Sequence, residues 1–89
     1  MVTAKVTIKN PTGLHMRPAQ IFVQGLAPFS CEITIAANGK SANAKSILSV
    51  MAACFKQGTE LEITCDGADE AAALAQAEAL LASGLGELV

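Results

Sequence analysis

The fold is decided by residues 2–26, which read VTAKVTIKNPTGLHMRPAQIFVQGL. From Val2 to Lys9 the side chains alternate between apolar and polar, which is the period of a strand with one buried face. Asn10-Pro11-Thr12-Gly13 interrupts this pattern, because proline cannot donate to a strand ladder and glycine accepts a positive φ. Apolar residues then recur at helical spacing from about Met16 to Leu26. The stretch therefore predicts a strand, a turn and a helix.

The predicted helix begins directly after His15, the single histidine of the chain. Pro18 falls in its first turn, where a missing amide has no intrahelical partner to lose. Gly25 and Pro28 are predicted to end the helix. The residues predicted to face the core are Ala19, Phe22, Val23 and Leu26.

The rest of the sequence predicts five further elements. These are strands at residues 31–35, 40–42 and 60–65, and helices at about 47–53 and 70–83. Asn38-Gly39 is a strong signal for a two-residue hairpin, and Ser46 and Asp69 are predicted helix caps. The order is then β-α-β-β-α-β-α. Strands that alternate this cleanly have one wet face, so we expect a two-layer α+β sandwich whose antiparallel sheet is covered by helices on one face.

The composition restricts the class of protein and its partners. A chain of 89 residues has room for one core, so we expect a single domain over residues 1–89. Residues 1–58 contain all six cations and one acid, whereas residues 59–89 contain seven acids. The positive half surrounds His15 and favours an acidic protein partner or a phosphate. Six scattered cations are too few to favour direct binding of nucleic acid.

The cysteines and the N-terminus indicate a cytoplasmic protein. Cys31, Cys54 and Cys65 are odd in number and lack C-x-x-C spacing, which argues against a disulfide framework and a zinc site. We interpret them as buried free thiols. No targeting signal or membrane-spanning stretch is visible, so we expect no membrane insertion. Neither a metal nor a cofactor is predicted.

The residues around His15 are suited to holding a phosphoryl group. A neutral imidazole has a ring nitrogen with a free lone pair, which can attack phosphorus without a separate base. At a helix start the amides of Met16 and Arg17 would point at the phosphoryl oxygens. Arg17 would add charge-assisted hydrogen bonds, and Pro18 would fix the backbone and so the direction of the ring. The simpler alternative is that His15 caps the helix and that Arg17 is a solvated charge.

Two motifs resemble those of a known family. Residues 13–19, GLHMRPA, resemble the active-site motif of HPr, the histidine-containing phosphocarrier of the bacterial phosphoenolpyruvate-dependent sugar phosphotransferase system. Residues 43–47, NAKSI, resemble the regulatory serine motif of HPr from Gram-positive bacteria. The resemblance covers the whole chain and implies a strand order of 1-4-2-3. It also implies that His15 accepts a phosphoryl group from enzyme I and passes it to sugar-specific IIA domains.

The resemblance also implies regulation at Ser46. An ATP-dependent HPr kinase/phosphorylase would phosphorylate this serine, which would slow transfer at His15 and promote binding to a catabolite-control repressor. The residues alone permit a simpler role, because a serine ahead of an apolar helical run is most often only an N-cap.

A docking surface is predicted on the short second helix. Ile47, Leu48 and Met51 recur at helical spacing, and exposed apolar residues near a reactive group suggest contact with a partner. By resemblance, enzyme I and the IIA domains would share this surface with the region around His15. The alternative is that all three side chains belong to the core.

The chain departs from the family pattern at three positions. Gln24 and Ala27 stand where many Gram-positive members have basic residues, and Cys54 stands where small residues, often glycine, are usual. We interpret Cys54 as a buried packing variation.

Two other classes stay open at this point. One is a ferredoxin-like ligand-binding domain. The other is an HPr-like regulatory protein of a nitrogen-related phosphotransfer branch, and the Ser46 motif argues against this second class. An independent enzyme is disfavoured because no second acid, base or metal set accompanies His15. The leading hypothesis is thus a monomeric phosphocarrier.

Overall fold

The computed structural model describes residues 1–85 and contains seven elements in the predicted order. They are β1 Val2–Thr7, α1 Met16–Leu26, β2 Glu32–Ala37, β3 Lys40–Asn43, α2 Ile47–Ala53, β4 Glu60–Asp66 and α3 Glu70–Ala82. The predicted bounds of α1 and α2 are confirmed, and the ends of the other elements differ by one or two residues. In this part of the chain no helix is both long and apolar enough to cross a membrane.

The four strands form one antiparallel sheet in the order β1-β4-β2-β3, as the resemblance implied. The central strand β4 places Cys65 opposite Val2 on one side and Ile33 on the other. The β2–β3 hairpin turns at Asn38 and Gly39, which both have a positive φ. This is the backbone that a two-residue Asn-Gly hairpin requires, so the predicted turn is confirmed.

The apolar side of the sheet packs against the helices. Along β2 and β4 exposed and buried side chains alternate, so one face of the sheet is polar and open. Burial of each large core side chain stabilises the fold by about 1.5–3 kcal/mol. Among the most buried are Phe22, Leu26, Ile35, Leu61, Ile63 and Leu81. The predicted core face of α1 is buried, and the architecture is the two-layer, open-faced α+β sandwich that the sequence predicts.

Gly25 does not end the first helix. It lies inside α1, which continues to Leu26. A Cβ at Gly25 would lie 2.7 Å from Cδ1 of Leu80 on α3. The glycine therefore allows α1 and α3 to pack closely, and the prediction of a helix stop at this position was wrong.

Asp69 also has a different role from the predicted one. It directly precedes α3, but its side chain makes no cap hydrogen bond. Its two carboxylate oxygens instead accept hydrogen bonds from the backbone N–H groups of Ser30, at 2.8 Å, and Cys31, at 2.9 Å. The bond from Ser30 is the main cause that lowers the pKa of Asp69 below its ordinary value. Asp69 thus joins the start of β2 to the start of α3.

The three cysteines occupy two kinds of environment. Cys31 and Cys65 are buried free thiols, as predicted, and burial raises the pKa of Cys31 and raises that of Cys65 to about 11. Cys54 is exposed and caps the C-terminus of α2 with a left-handed backbone, at φ 55°. The prediction of a buried Cys54 was wrong, because the cap turns this residue out of the core. A left-handed cap is also the position that favours glycine.

Candidate functional site

His15 lies at the N-terminus of α1 with its side chain exposed. Its backbone is extended, at φ −83° and ψ −167°, and its carbonyl accepts the N–H of Ala19 at 2.8 Å. Its imidazole, however, makes no cap hydrogen bond to the helix. The interpretation of His15 as a side-chain cap is therefore wrong, and the ring faces solvent.

A tightly held loop presents this histidine. Gly13 adopts φ 66°, and the buried Asn10 donates from Nδ2 to the Gly13 carbonyl at 2.5 Å. Leu14 is buried, and its N–H donates to the carbonyl of Phe55 at 2.9 Å. Because both residues before His15 are fixed, the position of its backbone is fixed as well.

The start of α1 is suited to an anion. The amides of Met16 and Arg17 belong to the first turn, where backbone N–H groups have no intrahelical acceptor. No acidic residue lies in that turn. The helix dipole should stabilise an anion here by about 0.3–1 kcal/mol. Arg17 is exposed beside this position, and Pro18 is buried.

A shallow depression of about 200 Å³ adjoins His15. The loop between α2 and β4 contributes Cys54, Phe55 and Lys56 to its lining, and Thr12 and Leu14 complete it. The sequence alone does not place Cys54 or Lys56 beside His15, since the two segments are about 40 residues apart. In residues 1–85, no group of three or more His, Cys, Asp and Glu side chains could hold a metal ion.

Ser46 occupies the N-cap of α2 and is half-buried. Its Oγ accepts a hydrogen bond from the N–H of Ser49 at 3.3 Å, so the predicted cap is confirmed. The hydroxyl of Ser49 accepts in turn from the N–H of Asn43 at 2.9 Å. The ammonium of the adjacent Lys45 donates to the carbonyl of Phe29. Ser46 is thus part of a local network that joins β3 to α2.

The predicted docking residues differ in exposure. Leu48 is 80% exposed, whereas Ile47 and Met51 are half-buried and pack against the core. Met16, next to His15, is 60% exposed and was not among the predicted docking residues. Its place in the sequence indicates only a backbone amide for the site, because Met16 stands at a helix end where periodicity does not assign a face.

Comparison with known proteins assigns the family. The family model for the PTS HPr component phosphorylation site matches residues 2–83. The chain belongs to the HPr family. Phosphocarrier protein HPr of Haemophilus influenzae is 43% identical over 81 residues, which cover 91% of this chain and 95% of that protein.

Solved HPr structures have the same fold. HPr from Thermoanaerobacter tengcongensis matches with a TM-score of 0.94 and 38% identity over the whole of both chains. The Bacillus subtilis catabolite repression protein Crh matches with a TM-score of 0.74 and 37% identity, over 94% of this chain and 97% of its own, and was solved as a dimer with a swapping domain. HPr is a non-catalytic carrier family of the phosphotransferase system, so the chain is not a ferredoxin-like ligand-binding domain.

Proposed function

We propose that this HPr-family chain carries a phosphoryl group on His15 from enzyme I to sugar-specific IIA domains. The observation that carries the proposal is the exposed imidazole, which lies at a helix N-terminus without serving as its cap. A ring nitrogen attacks phosphorus, and the new N–P bond forms as the bond from phosphorus to the donor breaks. The donor atom keeps the electron pair of that bond. Transfer to the IIA domain is the same step with His15 as the donor.

The neighbouring residues have distinct roles in this proposal. The amides of Met16 and Arg17 hold phosphoryl oxygens, and the Arg17 guanidinium adds charge-assisted hydrogen bonds. Pro18 fixes the first turn of α1 and therefore the direction of the ring. Because the site is exposed, these contacts stabilise the phosphorylated state only modestly, which suits a group that must be passed on.

The docking surface in this proposal consists of Leu48 with the accessible parts of Ile47 and Met51. Its support is the 80% exposure of Leu48 beside the partly buried Ile47 and Met51, since contiguous exposed apolar patches mark interaction sites. Enzyme I and the IIA domains would bind here in turn. We place the protein in the cytoplasm as a monomer with a single domain over residues 1–89, and light scattering would distinguish this monomer from a dimer of the kind solved for Crh.

Phosphorylation of Ser46 by an HPr kinase/phosphorylase is the proposed regulation. The side chain is half-buried at the start of α2 and lies in the matching sequence motif. A phosphate there would add about −1.5 to −2 charge near pH 7. That charge would stand beside the docking surface, where it would repel acidic partners of His15 transfer. It would also create an anionic feature that a catabolite-control repressor can recognise.

The transfer proposal is tested with enzyme I and labelled phosphoenolpyruvate. We expect a label that is labile in acid and stable in base, which is the behaviour of a phosphohistidine. Ser46→Ala is the matched control, and it should be labelled as the unmodified chain is. Labelling of His15→Ala would show that the acceptor has been misassigned.

The regulatory proposal has its own assay. With ATP and HPr kinase, an acid-stable label should appear and should be absent in Ser46→Ala. Ser49→Ala, which removes the neighbouring hydroxyl of the same network, should still be labelled. Label retained in Ser46→Ala would assign the modification to another residue.

A further inference from the structure

We propose that Lys56 is a second cationic ligand of the phosphoryl group on His15, in addition to Arg17. This inference rests on the proposed function, because it assumes that His15 is phosphorylated. The supporting observation is that Lys56 and His15 line the same depression although 40 positions separate them in the sequence.

Backbone packing fixes Lys56 near His15. A Cβ at Gly13 would contact the carbonyl oxygen of Phe55 and would lie 2.7 Å from the Cα of Lys56. The N–H of Leu14 donates to the carbonyl of Phe55, and the N–H of Thr59 donates to that of Lys56 at 3.1 Å. The loop that carries Lys56 is thus hydrogen-bonded on one side to the loop that presents His15.

The ammonium of Lys56 is available for an anion. Lys56 is exposed, and the ion pairs found within residues 1–85 involve the N-terminal amine rather than any lysine. A neighbouring depression of about 240 Å³ shares Cys54, Phe55 and Lys56 and is also lined by Lys40. Among residues 1–85 no carboxylate lines either depression, so the described surface next to His15 is positive on the side of this loop.

The chemistry fits a phosphoryl group better than a neutral ligand. The phosphoryl oxygens of a phosphohistidine carry negative charge near neutral pH, and a lysine ammonium binds such oxygens as a flexible point charge. Arg17 approaches from α1 and Lys56 from the α2–β4 loop, so the two cations belong to different segments. Lys56 also supplies positive charge near the site, whereas Gln24 on α1 and Ala27 directly after it are uncharged.

The test measures the equilibrium of phosphorylation and not its rate. With enzyme I as catalyst, the phosphorylated fraction is determined at several ratios of phosphoenolpyruvate to pyruvate. The resulting equilibrium constant does not depend on how tightly enzyme I binds, so it reports stabilisation of the phosphoryl group itself. The variants are Lys56→Gln, Lys56→Arg and Lys5→Gln. Lys5 is the matched control because it lies on the sheet, opposite Glu62, and lines neither depression next to His15.

We expect Lys56→Gln to lower the equilibrium constant about threefold at low salt, the scale of an exposed ion pair. Lys56→Arg should restore most of the loss, Lys5→Gln should change nothing, and high salt should reduce the difference. An unchanged constant in Lys56→Gln overturns the inference, as does a change confined to the KM for the chain with enzyme I. If the unmodified chain takes no phosphoryl group on His15, the proposed function itself fails, which is a different result.

Discussion

Two helix N-termini in this molecule carry polar side chains with opposite structural roles. At α2 the hydroxyl of Ser46 accepts the N–H of Ser49, so the side chain takes part in the fold. At α1 the imidazole of His15 makes no cap hydrogen bond and faces solvent. The side chain at the same position in a helix therefore stabilises the structure in one case and leaves an imidazole exposed in the other.

The difference lies in what holds each helix start. The loop before α1 is fixed by Asn10, by Gly13 and by the bond from Leu14 to Phe55, so α1 does not need a capping side chain. The loop before α2 has backbone bonds as well, from Ala44 to Ile33 and from Ser46 to Asn43, but it also uses the side chains of Ser46 and Ser49. Substitutions at the two starts should consequently affect different properties.

The largest expected effect is on transfer, in His15→Ala. We expect phosphorylation by enzyme I to be abolished, since the chain has no other histidine. Stability should change by no more than about 0.5 kcal/mol, because an exposed side chain without a cap bond is removed. Labelling measures the phosphorylation, and chemical denaturation of the same preparation measures the free energy of unfolding. A large loss of stability in this variant would contradict the contrast between the two helix starts.

The next largest effect is expected at Gly13, in the loop that presents His15. Gly13→Ala should lower the free energy of unfolding by about 3 kcal/mol or more. The added Cβ would meet the backbone of Phe55 and Lys56, and alanine would also be strained at a positive φ. Gly58→Ala is the control, since Gly58 has φ 86° but nothing within 4 Å of an added Cβ. Gly58→Ala should lower the free energy of unfolding by only about 1–2 kcal/mol. Urea unfolding measures both, and equal losses would show that packing at Gly13 is unimportant.

A smaller effect is expected at the second helix start. Ser46→Ala should lower the free energy of unfolding by about 1 kcal/mol, the usual contribution of a serine cap. Phosphorylation of His15 by enzyme I should be retained. Ser46→Asp keeps an acceptor oxygen at the cap and should recover most of the stability. If Ser46→Ala were as stable as the unmodified chain, the cap bond to Ser49 would not contribute.

The start of α3 extends the comparison, because its contribution to stability should depend on pH. Asp69 binds the N–H groups of Ser30 and Cys31 with separate oxygens, and its pKa is lowered. Because its pKa is lowered, Asp69 stabilises the folded state at pH values above 3.8, the ordinary pKa. This stabilisation is lost as the pH falls through the lowered pKa of the folded protein. Asp69→Asn replaces one acceptor oxygen with an NH₂ group, so the variant should be less stable near neutrality.

The readout for Asp69 is thermal unfolding followed from pH 6 downward. The difference in Tm between the unmodified chain and Asp69→Asn should narrow below the ordinary pKa of an aspartate. Glu78→Gln, on the exposed side of α3, removes the same charge and should leave the profile unchanged. If the difference in Tm were the same at every pH, the ionised carboxylate of Asp69 would not be the cause of the lower stability of Asp69→Asn.

Local signals predicted much of the fold. The apolar–polar alternation predicted the strands, Pro18 and the helical spacing predicted α1, and Asn38-Gly39 predicted the hairpin. Each of these signals depends on residues that are neighbours in the sequence. Gly25 and Asp69 were assigned wrongly because their partners, Leu80 and Ser30, come from distant segments.

The site could be predicted in the same uneven way. Residues 13–19 identify His15 and Arg17, but the placement of Lys56 and Cys54 beside them depends on packing between the α2–β4 loop and Gly13. The left-handed backbone of Cys54, which exposes its thiol, also follows from the end of α2 rather than from its own residue type.

The most direct test of the central claim is a nitrogen and phosphorus NMR spectrum recorded before and after phosphorylation by enzyme I. Because the chain has one histidine, its ring nitrogens give one unambiguous set of signals. We predict that one ring nitrogen of His15 becomes coupled to phosphorus while the Ser49 amide, which reports the Ser46 cap, keeps its position. Incorporation of phosphorus with unchanged ring signals would contradict the account.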